Sequence, residues 1–107
     1  MRDERDPYGF THALRELGWS DTRLVIAERF LQRLWGWGAF DRATWETCAV
    51  ALGIPRCHAV HTCFMRAALD IAFIDASGRV IELKRAIGPG RFLSCPTAVS
   101  VLERPSV

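Results

Sequence analysis

The stretch "HTCFMRAALDIAFIDASGRVIEL", residues 61–83, decides the fold. An almost wholly apolar run ends at the turn DASG, in which Gly78 suits the left-handed position of a short hairpin. The sequence therefore predicts a hairpin of two antiparallel strands, residues 67–75 and 79–85, and places this hairpin in the middle of a compact sheet.

One acid interrupts the apolar run. If the first strand is extended, Asp70 shares a face with Ala72 and Ile74, while Leu69, Ile71 and Phe73 occupy the other face. A buried carboxylate without a partner is very costly, so Asp70 must lie at a sheet rim or be buried and hydrogen-bonded.

The candidate partners of Asp70 lie close in sequence, and with it they form a candidate polar binding cluster: His61, Thr62, Arg66 and Asp70. Two interpretations stay open. Asp70 is either a structural acceptor for backbone N–H groups or for Arg66, or a functional carboxylate in a cleft.

The N-terminal part of the chain predicts a short helix, which is a candidate cover for an open edge of the sheet. Phe10, Leu14 and Leu17 recur at helical spacing, Thr11 is an acceptable N-cap, and Gly18 is a C-terminal stop. Residues 1–20 are therefore expected to form an extension with a short amphipathic helix, and residues 21–107 a single β-rich domain.

Within that domain the apolar pattern alternates between strand and helix. Strands are predicted at residues 23–28, within 57–65 and at 97–103, and a helix at 29–35. Residues 41–53 favour a helical turn that leads into a strand, and "IGPGR", residues 87–91, favours a loop because Pro89 cannot donate to a ladder.

Composition limits the classes of function. A chain of 107 residues fits one domain, and its net charge of +2, with basic residues spread along the sequence, does not predict a nucleic-acid partner. No apolar run approaches the ~18 residues of a membrane-spanning helix, so no transmembrane segment is predicted. The charged start "MRDERDPYGF" lacks the features of a secretory signal, which favours a cytoplasmic location with reduced thiols.

The segment "CHAVHTC" raises the question of zinc and of thiol chemistry. On an extended strand Cys57 and His61 stand ~13 Å apart, too far to share one ion, and only His61 and Cys63 lie on one face. Thiol catalysis by Cys63 with His61, or by Cys95 with His58, needs a lowered thiol pKa that no pattern here indicates. The sequence therefore assigns no metal ligand, no cofactor and no catalytic residue.

A cluster of aromatic residues offers a candidate interaction surface. In "FLQRLWGWGAF", Trp35, Trp37 and Phe40 surround two glycines. This pattern is typical either of a contact surface for a protein or membrane, or of core tryptophans.

The stretch 61–83 resembles the core motif of an uncharacterised bacterial and archaeal family, domain of unknown function 192. The matching residues are His61, Thr62, Met65, Arg66, Leu69, Asp70, Phe73, Asp75, Gly78, Arg79 and Val80. Two flanking signatures of the family are matched by Ala27, Arg33, Leu34 and Gly36 upstream, and by Ala98, Val101, Leu102, Glu103 and Pro105 downstream.

The resemblance implies an α+β, β-rich fold, with a small, partly closed, barrel-like antiparallel sheet and one or two short helices. It implies no established activity. Family members continue with a final strand where this chain stops at Val107. For a chain that is shortened at its C-terminus, the resemblance therefore predicts an open sheet edge.

Two hypotheses about function follow. The first is a non-enzymatic protein-interaction or binding module, with a protein partner or a second copy at the open edge. The alternative is a small enzyme or a ligand- or metal-binding pocket centred on His61, Asp70 and Cys63.

Overall fold

The computed structural model describes residues 8–27, 50–62 and 68–106. In chain order, the elements of these residues are α1 (Phe10–Leu17), β1 (Arg23–Ile26), β2 (Val50–Pro55), β3 (Ala59–His61), β4 (Leu69–Ile74), β5 (Val80–Ile87), β6 (Phe92–Ser94) and β7 (Ser100–Pro105).

Five of the strands form one sheet in the order β1-β2-β7-β4-β5, and β3 pairs with β6 in a separate ribbon. The β1–β2 pair is parallel and every other described pair is antiparallel. The predicted β-rich α+β fold is confirmed. In detail the sheet is mixed rather than wholly antiparallel, and its described strands do not close into a barrel.

The predicted hairpin is confirmed, but its predicted place in the middle of the sheet is wrong, because β5 is the strand at one end of the described sheet. β4 and β5 pair antiparallel, and Gly78 has the left-handed φ of 84° that the turn requires. Asp75 stabilises the turn, because its Oδ1 accepts hydrogen bonds from the backbone N–H groups of Ser77 (2.8 Å) and Arg79 (3.0 Å).

The strand β4 is buried on both faces, which explains its nearly continuous apolar sequence. Leu69, Ile71 and Phe73 pack on one side of the sheet, in a core completed by β2, β7 and the β3–β6 ribbon. Ala72 and Ile74 pack on the other side, against α1. The predicted division of these side chains between two faces is therefore confirmed.

The helix α1 covers the second face of the sheet. The ring of Phe10 lies against Gly53 of β2, so closely that a Cβ added at Gly53 would stand 2.8 Å from the ring. Gly18 ends the helix as predicted, with a left-handed φ of 76°. The N-cap is Gly9 rather than Thr11, because the helix begins one residue before the predicted cap.

Although α1 packs on the sheet, the predicted division of the chain at residue 20 stays a prediction. Elsewhere the structure moves some boundaries. The last strand begins at Ser100 rather than at residue 97, and β6 was not predicted. The predicted helix at 29–35 and the helical turn before β2 lie outside the described residues.

The C-terminal strand β7 lies in the interior of the sheet, between β2 and β4. The strands at the two ends of the described sheet are β1 and β5. The shortened C-terminus was predicted to leave an open sheet edge. That edge does not belong to β7, because β7 is paired on both sides. In the part of the chain that the structure describes, no helix has the length and apolar character needed to cross a membrane.

The contact between α1 and the hairpin turn can be tested with two glycines that have similar backbone angles. Gly78 (φ 84°) and Gly90 (φ 79°) are both left-handed, but a Cβ at Gly78 would stand 3.0 Å from the Cα of Gly9, whereas a Cβ at Gly90 meets nothing within 4 Å. Alanine at either position costs about 1–2 kcal/mol of backbone strain.

We expect Gly78→Ala to lower the free energy of unfolding by a further ~1–3 kcal/mol through overpacking against Gly9. Urea denaturation of both variants measures the difference. Equal losses in Gly78→Ala and Gly90→Ala would contradict the close contact between the helix and the turn.

Candidate functional site

The carboxylate of Asp70 is buried in the middle of the sheet. The residue is 7% exposed and lies on β4, between β5 and β7. Its Oδ1 accepts a hydrogen bond of 2.9 Å from the backbone N–H of Ala86. This contact corresponds to the interpretation of Asp70 as an acceptor for backbone N–H groups.

The hydrogen bond exists because β5 contains a bulge. Leu69 pairs with Ile87 and Ile71 pairs with Lys84, so two residues of β5, Arg85 and Ala86, oppose the single residue Asp70. Ala86 has a φ of 53°, which is unusual for a residue with a side chain. Because a bulge leaves an N–H group outside the regular ladder, the Asp70 carboxylate satisfies the amide of Ala86.

The second neighbour of Asp70 is Arg104. The two residues are register partners on β4 and β7, and Arg104 Nε lies 3.7 Å from Asp70 Oδ2. The guanidinium carbon of Arg104 lies 4.6 Å from the centre of the Trp19 ring, a cation–π contact with a buried tryptophan.

One donor of the Arg104 guanidinium, the Nε–H group, makes no hydrogen bond to the described residues. A separation of 3.7 Å from the carboxylate is beyond hydrogen-bond distance. The Nε atom is buried and has no hydrogen-bond partner among the described residues. The Arg104 side chain is 19% exposed, so the arrangement presents part of a fixed, planar cation at the protein surface.

These groups line a depression of about 340 Å³, here called the Arg104 pocket. Its lining residues are Leu17, Trp19, Asp70, Arg85, Ala86, Arg104 and Ser106. It lies between the C-terminal end of α1 and the bulge of β5. Among the described residues its charged lining residues are Arg85, Arg104 and Asp70, so their summed charge is positive.

The members of the predicted polar cluster that the structure describes do not all meet. Thr62 is buried, donates to the carbonyl of Gly88 (2.7 Å) and accepts from the N–H of Arg91 (2.8 Å), so it fixes the loop before β6. His61 is exposed on β3. Among the described residues no hydrogen bond joins Asp70 to Thr62 or His61.

The remaining predicted site residues lie outside the described residues: Arg66 and Cys63, and the candidate interaction surface of Trp35, Trp37 and Phe40. The cluster of His61, Thr62, Arg66 and Asp70 and the aromatic surface therefore stay predictions.

Within residues 8–27, 50–62 and 68–106, no three histidine, cysteine or acidic side chains gather as ligands for a metal ion. Cys57 and Cys95 are thiols there. The thiol of Cys57 donates to the carbonyl of Ala59 (3.0 Å), and Cys95 is buried in the core.

Trp19, Arg85 and Arg104 were not predicted from the sequence as site residues. The strand ending in "VLERP" carried a usable signal: Leu102 and Arg104 alternate onto one face, and that face is the one that bears Asp70 on the neighbouring strand. The pairing of β7 with β4 was the missing piece of information.

Comparison with known proteins gives a family but no activity. Residues 15–106 match the family model of domain of unknown function 192 (DUF192), described as "Uncharacterized ACR". All residues of the Arg104 pocket lie within this match. No curated protein matches the chain significantly.

The fold is similar to the crystal structure of a protein of unknown function from Novosphingobium aromaticivorans DSM 12444, with a TM-score of 0.64 and 16% sequence identity. The similarity covers 79% of this chain and 64% of that chain. At this identity the likeness concerns the fold alone.

The role of Asp70 as an acceptor can be tested by two substitutions. Asp70→Ala leaves the Ala86 amide without its acceptor and Arg104 without its counter-charge, and we expect it to lower the free energy of unfolding by about 2–4 kcal/mol. Asp70→Asn keeps an amide oxygen for the Ala86 N–H, so its loss should be clearly smaller. Urea denaturation of both variants measures these losses. Stability of Asp70→Ala within 0.5 kcal/mol of the wild type, roughly the range of ordinary surface substitutions, would contradict this role.

Proposed function

The chain belongs to the DUF192 family, and from the geometry of its site we propose that it is a non-enzymatic binding domain whose Arg104 pocket takes a ligand with an oxyanion group. One observation carries the proposal: the Arg104 guanidinium is fixed against Trp19 and lines a depression together with a second arginine, Arg85.

The first support is preorganisation. An arginine side chain normally loses considerable rotamer entropy when it binds a ligand. Here the stacking on Trp19 and the attraction of Asp70 hold the guanidinium before any ligand arrives. A planar guanidinium matches the two oxygens of a carboxylate, or two oxygens of a phosphate, in a bidentate arrangement.

The second support is charge. Arg85 lies on the exposed β5 bulge and faces the same pocket, so two cations stand against one carboxylate. An oxyanion that enters the pocket meets attraction on balance, and the half-buried position of Arg104 reduces screening by solvent.

The third support is the character of the lining. It supplies charged groups, a backbone segment and a tryptophan face, which recognise and orient a ligand. His61 does not line it. A small enzyme centred on His61, Asp70 and Cys63 is accordingly not the function that this geometry favours.

The described edge strand β5 is less suited to the predicted protein partner or homodimer. Its pairing with β4 is interrupted by two register shifts, and exposed charges lie along it. Lys84 Nζ lies 2.8 Å from Glu82 Oε1, and this hydrogen bond lowers the pKa of Glu82. Bulges and charges of this kind oppose pairing between edges. The partner and the cytoplasmic location stay predictions.

The proposal can be tested by titrating the chain with acetate and following the Arg104 Nε–H and Ala86 amide signals by NMR. We expect saturable shifts of both signals in the wild type. Arg104→Lys keeps the charge but loses the planar fork, and we expect it to weaken binding about tenfold or more, as measured by the Ala86 amide.

Arg23→Gln is a matched control, because it removes one positive charge from exposed β1 without touching the pocket. We expect it to bind acetate as the wild type does. Equal affinity of wild type and Arg104→Lys, or equal weakening by Arg23→Gln and Arg104→Lys, would overturn the proposal.

A further inference from the structure

We infer that the ligand of the Arg104 pocket is a small carboxylate that carries a hydrogen-bond donor, a hydroxyl or an ammonium group, on the carbon next to the carboxylate. This inference rests on the proposed function and deepens it, because it uses Asp70 as a second recognition group beside Arg104.

The two carboxylate oxygens of Asp70 have different surroundings. Oδ1 is engaged by the Ala86 amide at 2.9 Å. Oδ2 lies 3.7 Å from Arg104 Nε, beyond hydrogen-bond distance, and no other described residue donates to it. A carboxylate oxygen can accept more than one hydrogen bond, so Oδ2 keeps acceptor capacity in a residue that lines the pocket.

Arg104 and Asp70 therefore favour opposite features in one ligand. Arg104 offers donors that fit an oxyanion, and Asp70 offers an acceptor that repels an oxyanion. A ligand without a donor loses part of its attraction to Arg104 through this repulsion. A ligand that places a hydroxyl or ammonium group beside its carboxylate turns the repulsion into a hydrogen bond.

Distance and charge select ligands in which the two features are neighbours. Since the Arg104 guanidinium and the Asp70 carboxylate are neighbours, with 3.7 Å between Nε and Oδ2, a ligand that contacts both carries its oxyanion and its donor close together. A hydroxy or amino acid meets this condition. Inorganic phosphate keeps a P–OH donor near neutral pH but carries more negative charge than a carboxylate, so the Asp70 carboxylate repels it more strongly.

The rest of the lining leaves room for a small substituent. Leu17 and the methyl of Ala86 provide apolar surface, and the depression measures about 340 Å³. Trp19 forms the wall on which Arg104 is stacked.

The test compares five probes by NMR titration of the wild-type chain: glycolate, glycine, acetate, methylamine and inorganic phosphate. We expect glycolate or glycine to bind about tenfold or more tightly than acetate, because a hydrogen bond to a charged group is added. Methylamine, which lacks the oxyanion, and phosphate should bind more weakly than the better of these two.

The matched variant is Asp70→Asn, in which the amide oxygen serves the Ala86 N–H and the amide nitrogen turns a donor toward the pocket. In this variant the order should reverse: acetate should bind more tightly than to the wild type, and glycolate and glycine more weakly. The Ala86 amide signal confirms that the bulge is intact in the variant.

The outcomes separate this inference from the proposed function. Equal binding of acetate, glycolate and glycine, or tightest binding of phosphate, would overturn the inference while oxyanion binding at Arg104 stands. An unchanged order of the probes in Asp70→Asn would also overturn it. If no probe binds the wild type saturably, both the inference and the proposed function are overturned.

Discussion

The burial of β4 on both faces is the constraint on which the rest of the structure depends. The strand also pairs along both edges, with β5 and with β7, so no side of it meets water freely. Any polar group placed on it must find its partners within the protein. Asp70 is the one charged residue of the strand, and the bulge of β5 supplies the amide that binds one of its two carboxylate oxygens.

Asp70, the bulge of β5 and the Arg104 pocket depend on one another. The left-handed backbone of Ala86 costs free energy, and the hydrogen bond to Asp70 offsets part of that cost. The bulge in turn brings Arg85 and Ala86 to the rim of the depression beside Arg104. A regular β5 ladder would leave Asp70 without the Ala86 amide, so the site and the local stability of the sheet have the same origin.

The sequence predicted those features of this region that depend on residues close together in the chain. The hairpin, the left-handed Gly78 and the two faces of β4 follow from local periodicity and turn chemistry, and Asp70 was recognised as the charge that needs partners. The actual partners could not be found in this way, because Ala86 and Arg104 lie 16 and 34 positions further along the chain. Local patterns do not give strand order, and a bulge that uses Ala86 rather than glycine leaves no signature in composition.

The same reasoning connects ligand binding with stability. Arg104 sits between a tryptophan face and a carboxylate, both of which attract a cation, yet its buried Nε has no hydrogen bond to the described residues. A buried donor without a partner costs free energy in the folded protein. In the proposed function, binding and folding are linked because the ligand binds the folded protein alone, and a ligand present at 100 times its dissociation constant stabilises the fold by about 2.7 kcal/mol. The pocket would then recover through its ligand part of the stability that the buried Nε–H costs.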